Sequence, residues 1–266
     1  MLLILSLATL LQQGAPCPQE QDEARELLER LERSHARVEV FTSPLTYRKV
    51  YALEGDFETR LGEVAARLGG DDREIILYFD RVIDASGHGT DRPRYHIYEK
   101  GWWTEVDPGR KRVVHRQLAA DDASMADPFE LGEGPMPLPI GQKADRVMER
   151  FDVTITEVPE DPLFKGVRNV VVLHLVPKAG IPAAEDHASF DLLYDRDSLL
   201  PVGILVTHIN GDTTTAWLRS PTAGADGVAV EGRASEVKAL ISRSASDEAW
   251  TIERKPLAAP EAGAGS

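Results

Sequence analysis

Between Val38 and Leu118 the chain is cut into short strand-like segments by turns too short to hold a helix. The segments are Val38–Phe41, Tyr47–Leu53, Phe57–Leu68, Glu74–Asp84, Arg94–Tyr98, Trp102–Val106 and Arg112–Leu118. Glu54-Gly55-Asp56, Gly69-Gly70-Asp71, Lys100-Gly101 and Asp107-Pro108-Gly109 carry the turn chemistry between them. Parallel neighbours need a crossover of a dozen or more residues, so segments joined this tightly must form an antiparallel meander. A second series follows at Asp152–Glu157, Val167–Val176, Ala188–Tyr194, Val202–Asn210, Asp212–Arg219, Val228–Glu231 and Trp250–Glu253, with an Asn-Gly turn inside His208–Asp212. A flat sheet of some 11–13 strands curls or splits. The expectation is a mainly β chain folded as a curved antiparallel half-barrel.

Helical periodicity enters at two places. Residues 20–37 place Ala24, Leu27, Leu28 and Leu31 on one face and charges on the other, an amphipathic helix that covers a core. Between the two strand series lies DPFELGEGPMPLPIGQKADRVMERF, residues 127–151. Its first half is rich in proline and glycine, yet it also holds Phe129, Leu131, Met136, Leu138 and Ile140. Its second half reads as a short helix with Ala144, Val147, Met148 and Phe151 on one side. A stiff, apolar connection of this kind is either a lid over an apolar cavity or a loop packed permanently on a solid core. Glu236–Ile241 reads as a small helical turn and Gly180–Asp186 as a loop.

Strand alternation asks for cover on both sides of the sheet. Val170–Val176 is apolar on both faces apart from His174. One face is core; the other needs a helix over it, or lines a cavity for an apolar ligand.

The ends are set apart from this domain. Leu2–Leu11 is an apolar run too short to span a bilayer and suited to the core of a signal peptide, expected over residues 1–19. Residues 20–256 form a single domain, and 257–266 are small and polar, expected as a disordered tail. The chain has 30 Lys and Arg against 44 Asp and Glu, a formal charge of −14. Nucleic acid wants a basic face, and an anionic membrane gives this chain no electrostatic help. Cys17 is the only cysteine, so no internal disulfide and no cysteine-based zinc site can form. The Gly14-Ala15-Pro16 before it is unlike a lipobox, and lipid anchoring there is not expected.

Motifs that carry chemistry are absent from the sequence. It has no Gly-x-Ser-x-Gly elbow, no phosphate-binding Gly-x-x-x-x-Gly-Lys-Ser/Thr loop and no dinucleotide fingerprint. His174, His187 and His208, with Asp186, Asp191 and Asp212, lie in neighbouring segments, but no short-range pair has metal-ligand spacing. Asp195-Arg-Asp197-Ser starts like a calcium loop and lacks its glycine and terminal Glu. No catalytic residue, cofactor or metal is expected. Tyr95, Tyr98, Trp102 and Trp103 cluster on one hairpin, as an aromatic wall of a site or as core packing.

These patterns taken in order resemble the LolA-like outer-membrane lipoprotein carriers and lipoprotein-sorting proteins. The N-terminal amphipathic helix is followed by Gly62-Glu-Val-Ala-Ala-Arg67, similar to the family's strand ending in a basic residue. Tyr95-His-Ile-Tyr-Glu-Lys-Gly-Trp-Trp-Thr-Glu-Val-Asp-Pro108 looks like its Gly-Trp hairpin. The Pro-rich loop and helix come next, then Leu173-His-Leu-Val-Pro177-Lys178, Leu192-Leu-Tyr-Asp-Arg-Asp-Ser-Leu-Leu-Pro201 and Asn210-Gly-Asp-Thr-Thr. The similarity covers roughly residues 22–256. It departs at the end, where Trp250-Thr-Ile-Glu-Arg-Lys-Pro256-Leu replaces the family's aromatic strand and Pro-Pro ending.

The resemblance implies a half-barrel whose concave apolar side is closed by a helical lid and holds acyl chains, with no catalysis. It implies a periplasmic protein reached through the signal peptide, a monomer, with lipoprotein acyl chains or another lipid as ligand. Inner- and outer-membrane lipoprotein-sorting proteins are the implied partners. Lid residues Phe129, Met136, Leu138, Ile140, Val147, Met148 and Phe151 would face the cavity. From the sheet, Trp102, Leu173, Leu175, Phe190, Leu192, Ile204, Val206 and Trp217 would join them, and Arg67 would contact the lid. The alternative is an envelope sensor or scaffold domain of the same fold that binds a protein partner.

Overall fold

A computed structural model describes residues 18–69, 73–118, 131–132, 138–224 and 227–257. Helix α1 (Pro18–His35) buries Ala24, Leu27, Leu28 and Leu31, as its apolar spacing requires. Six strands follow: β1 (Val40–Tyr51), β2 (Asp56–Arg67), β3 (Glu74–Asp84), β4 (Gly89–Glu99), β5 (Trp102–Asp107) and β6 (Arg112–Gln117). Helix α2 (Ala144–Arg150) runs straight into β7 (Phe151–Thr156) and then β8 (Val170–Pro177). A single turn α3 (Ala183–Asp186) precedes β9 (His187–Asp195), β10 (Pro201–His208), β11 (Thr213–Leu218) and the short β12 (Thr222–Gly224). Helix α4 (Val228–Ala245) and β13 (Thr251–Lys255) finish the described chain.

All thirteen strands join one open sheet in the order β13-β6-β5-β4-β3-β2-β1-β11-β10-β9-β8-β7, with β12 paired to the start of β1. Two meanders are thus zipped together along β1 and β11, from Leu45↔Leu218 to Val50↔Thr213. Twelve strands side by side would span about 50 Å if flat, whereas an 18-residue helix is about 27 Å long. Yet α1 shares one continuous apolar cluster with side chains of β1 to β5 and β7 to β11. The sheet curves around the helix: a mainly β, antiparallel half-barrel with an N-terminal helix and a short helical cover.

The concave face holds α1, the 138–150 segment and the larger core. The convex face is covered too, which accounts for the doubly apolar strands. Helix α4 lays Val230, Ala234 and Val237 on Val40, Ala65, Ile76, Ile97, Val106 and Val113. On the other half, Phe164 from a 3₁₀ turn at Pro162–Phe164 packs on Val170, Val172 and Leu193. Gly203 makes the space for it, since a Cβ there would lie 2.6 Å from Phe164 Cε1.

Five local expectations are corrected. The segments Val38–Phe41 and Tyr47–Leu53 are one strand, β1, that runs through Pro44. Proline is tolerated because its carbonyl side faces the gap between β11 and β12, where Arg219 N donates to Pro44 O at 2.9 Å and no ladder donor is needed. Val228–Glu231, expected as a strand, opens α4, and the expected turn Glu236–Ile241 is the middle of that helix. Strand β13 runs parallel to β6, Thr251↔Arg112 to Lys255↔Arg116, because α4 carries the chain back across the convex face first. The loop Gly180–Asp186 contains the helical turn α3. The apolar run Leu2–Leu11, Cys17 and the tail from 258 lie outside the described residues. Among the described residues no helix is long and apolar enough to cross a membrane.

Candidate ligand-binding site

The register fixes which side chains share the concave face. Leu173 pairs with Leu192, which pairs with Ile204; Leu175 pairs with Phe190, which pairs with Val206. Directly paired residues stand on the same side of a sheet, so these six form two apolar rows across β8, β9 and β10. None is more than 2% exposed. Of the cover residues, Leu138, Ile140, Val147 and Phe151 are buried in the same cluster, and Met148 is packed against it half-buried. Phe129 and Met136 lie outside the described residues.

Three expected site residues stand elsewhere. Trp102 is on the convex side, where the Arg254 guanidinium lies 4.4 Å from its ring centroid. Trp103 takes the concave position and is buried there. Trp217 pairs with Gly203 and packs on the convex cluster around Phe164, leaving Ala216 and Leu218 to the concave core. Neighbouring residues on a strand face opposite ways, so a slip of one position exchanges them. Arg67 does not touch the 138–150 segment: it is paired with Glu231 of α4, Nη2 to Oε1 at 3.1 Å, on the convex side.

The cover is tied to α1 by polar links at its margin. Glu32 accepts from the Ala144 backbone N–H at 3.0 Å and pairs with Lys143 Nζ at 3.1 Å. It thereby caps α2, whose N-cap Lys143 makes no side-chain cap bond. The Ala144 bond, more than the Lys143 charge, holds its pKa below the usual carboxylate value. Arg25 Nη1 meets Asp145 Oδ1 at 2.9 Å. His35 Nδ1 accepts from Gly141 N at 3.3 Å while Nε2 faces Leu199 O at 2.8 Å. A neutral ring with its proton on Nε2 satisfies both partners, and burial keeps it neutral by pushing its pKa down.

Toward the hairpin tips at 52–55 and 209–212, the same concave face changes character. Tyr47 pairs with Arg60, and Phe79 pairs with Arg94. The Arg60 guanidinium lies 6.0 Å from the Phe79 ring centroid, and the His96 ring lies edge-on to Phe79 at 6.0 Å and 5.5 Å from Trp103. Arg60 is paired with Glu58 at 2.6 Å and Arg94 with Asp107 at 2.7 Å. Enclosure first, then repulsion from Arg60 and Arg94, pushes the His96 pKa down to about 3. Arg60, Arg94 and His96 are not among the expected site residues. The signal for this group was two arginines, Arg60 and Arg94, at inward positions of strands whose deeper inward residues, Val64 and Ala66 on one and Tyr98 on the other, are buried in the core.

The three histidines of neighbouring segments, His174, His187 and His208, do not converge on one face. His174 is convex and bound to Asp191 at 2.7 Å, while the His187 and His208 rings lie 5.0 Å apart, tilted by 51°, on the concave side. Among the described residues no group of three or more His, Cys, Asp or Glu could hold a metal ion.

No protein-family profile matches the chain, and no curated protein matches it. Solved structures do. A chain of the Pseudomonas aeruginosa MucA/MucB complex matches at 17% identity and TM-score 0.40, over 76% of this chain and 58% of that one. The Mycobacterium tuberculosis lipoprotein LppX matches at 8% identity and TM-score 0.40, over 77% and 98%. A LolA superfamily protein from Nitrosomonas europaea matches at 9% identity and TM-score 0.30, over 76% and 94%.

Proposed function

We propose that this protein is a non-catalytic carrier that shields the acyl chains of a lipid or lipid-modified protein on its concave face. The supporting observation is the cover. An apolar surface continuous across ten strands is closed by α1 and the 138–150 segment, which is held at its margin by a handful of exposed or half-buried polar links. Exposed links of this kind are individually worth no more than about 1 kcal/mol. Each methylene moved from water to an apolar site gains about 0.8 kcal/mol, so a single long acyl chain outweighs them. The role would be transport or sorting of lipoproteins toward the outer membrane, in a periplasmic, exported, monomeric protein. Lipoprotein-sorting proteins of the two membranes would be its partners.

A second reading keeps the fold and replaces the lipid with a protein. It is favoured by the close packing under the cover, where Leu138 is 1% and Ile140 0% exposed. Mass spectrometry of what survives native purification separates the two. Co-purifying lipid, displaceable by fatty acid at micromolar concentration, is expected. A stoichiometric protein partner without lipid, together with no fatty-acid binding, would overturn the carrier reading in favour of a sensor or scaffold.

A further inference from the structure

The concave face carries a charge imbalance that the apolar reading leaves unexplained. Lys49 of β1, Arg60 of β2 and Arg94 of β4 share this face, and Arg110 approaches from the β5–β6 turn. Among the described residues, the carboxylates paired with this group are Glu58, bound to Arg60, and Asp107, shared between Arg94 at 2.7 Å and Arg110 at 3.7 Å, with Asp212 close enough to Lys49 to feel its charge. Cations outnumber their partners in a chain where acids outnumber bases by 44 to 30. The arginines are half-buried, with Arg60 24% and Arg94 19% exposed at the side chain. Among the described residues, Arg94 Nε and His96 Nδ1 are enclosed without a hydrogen-bond partner, and Asp107 Oδ2, enclosed beside them, has the Arg94 ion pair but no well-aligned hydrogen bond. Leaving buried polar atoms unpaired is costly, and such atoms call for an explanation. Phe79 between the two arginines, with Tyr47 beside it and Trp103 beside His96, gives the group an aromatic floor.

We infer that this end of the concave face binds the anionic head of an amphiphile, a phosphate or carboxylate group, with Arg60 and Arg94 as its two cations. Guanidinium groups suit such oxygens because their N–H groups match the planar fork of acceptors. Enclosure beside an aromatic ring weakens competition from water. A neutral His96 keeps an N–H to donate without adding charge. The apolar rows on β8 to β10 lie on the same face and would take the chain. The assignment rests on the carrier reading above and names the chemistry of the head that this reading left open.

The test compares two ligands with one chain: dodecyl phosphate and 1-dodecanol, each displacing a neutral naphthylamine fluorophore from the full-length protein. Dodecyl phosphate is expected to bind about tenfold tighter or more, the scale of one charge-assisted contact. Added sodium chloride should narrow that preference in the unaltered protein. Arg60→Gln with Arg94→Gln should remove the preference and leave dodecanol affinity unchanged, while the two Lys variants should retain part of it. Millimolar inorganic phosphate should compete with dodecyl phosphate and not with dodecanol. Equal affinity for the two amphiphiles overturns the headgroup site while leaving the carrier reading intact. Binding of neither overturns the carrier reading itself. Tight binding of inorganic phosphate with no binding of either amphiphile identifies a free-phosphate site and also overturns the headgroup assignment.

Discussion

At the scale of single residues, His96 makes the clearest thermodynamic prediction. Its pKa is about 3 in the folded chain and 6.5 when free. Between these values the unfolded chain binds the proton and the folded chain does not, so stability is complete above pH 6.5 and falls as pH drops toward 3. One such group contributes at most about 1.4 kcal/mol per pH unit. Urea midpoints measured at pH 7, 5.5 and 4.5 should fall for the native sequence and fall less steeply for His96→Gln; equal slopes would show that the ring is not held neutral. Gly203 offers a steric counterpart. Gly203→Ala should cost about 1–3 kcal/mol by forcing a methyl against Phe164. In a Phe164→Ala background the same change should cost much less, and a double-mutant cycle reads the difference. Individual inward residues were only partly legible beforehand. Leu173, Leu192 and Ile204 lie in strands whose alternation places them together. Trp102 and Trp217, expected on the concave face, stand on the convex one; Trp103 and Leu218 beside them are equally apolar, and only cross-strand register separates the faces.

At the scale of elements, helix α2 depends on another helix for its start. Seven residues are too few to hold a helix in water without outside contacts. Glu32 of α1 supplies one at the Ala144 N–H. Glu32→Ala should cost about 1 kcal/mol, and hydrogen exchange should quicken at residues 144–147 while that at β9 and β10 stays unchanged. Uniform acceleration would show that the cover does not open apart from the sheet. Because its folded-state pKa is lowered, the Glu32 contribution is present above the ordinary carboxylate value of 4.5 and is lost as pH falls through the depressed one. The antiparallel strands were legible as elements, since turn residues bound them and their period is two. Helix α4 was not. Val228–Val230 has strand propensity and Gly232 weakens a helix by about 1 kcal/mol. What decides for helix is distant: Val230, Ala234 and Val237 fall at helical spacing onto the convex apolar face of β2 to β4. A long-range partner of that kind leaves no mark in the local pattern.

At the scale of the whole molecule, an open sheet with edges at β7 and β13 has wrapped helix α1 and the 138–150 segment instead of closing on itself. The need for cover on both faces was readable from Val170–Val176. How it is met, by α4 on one half and the 158–167 loop on the other, was not. On the concave side, α1 and the 138–150 segment must move if an acyl chain is to enter beneath them. That requirement can be tested without disturbing the core. Arg25 and Asp145 face each other at 2.9 Å, with side chains 43% and 96% exposed, on α1 and α2. With Cys17→Ser removing the native thiol, Arg25→Cys and Asp145→Cys can be bridged by a short bis-maleimide. Surface changes of this kind usually shift stability by no more than about 0.5 kcal/mol. The unbridged variant should therefore bind the fluorescent probe as the parent does. The bridged form should take it up at least about tenfold more slowly or weakly, because opening then has to break packing as well as polar links. Unchanged uptake after bridging would place the chain somewhere other than beneath this cover, and with it the route by which the sheet exchanges its ligand.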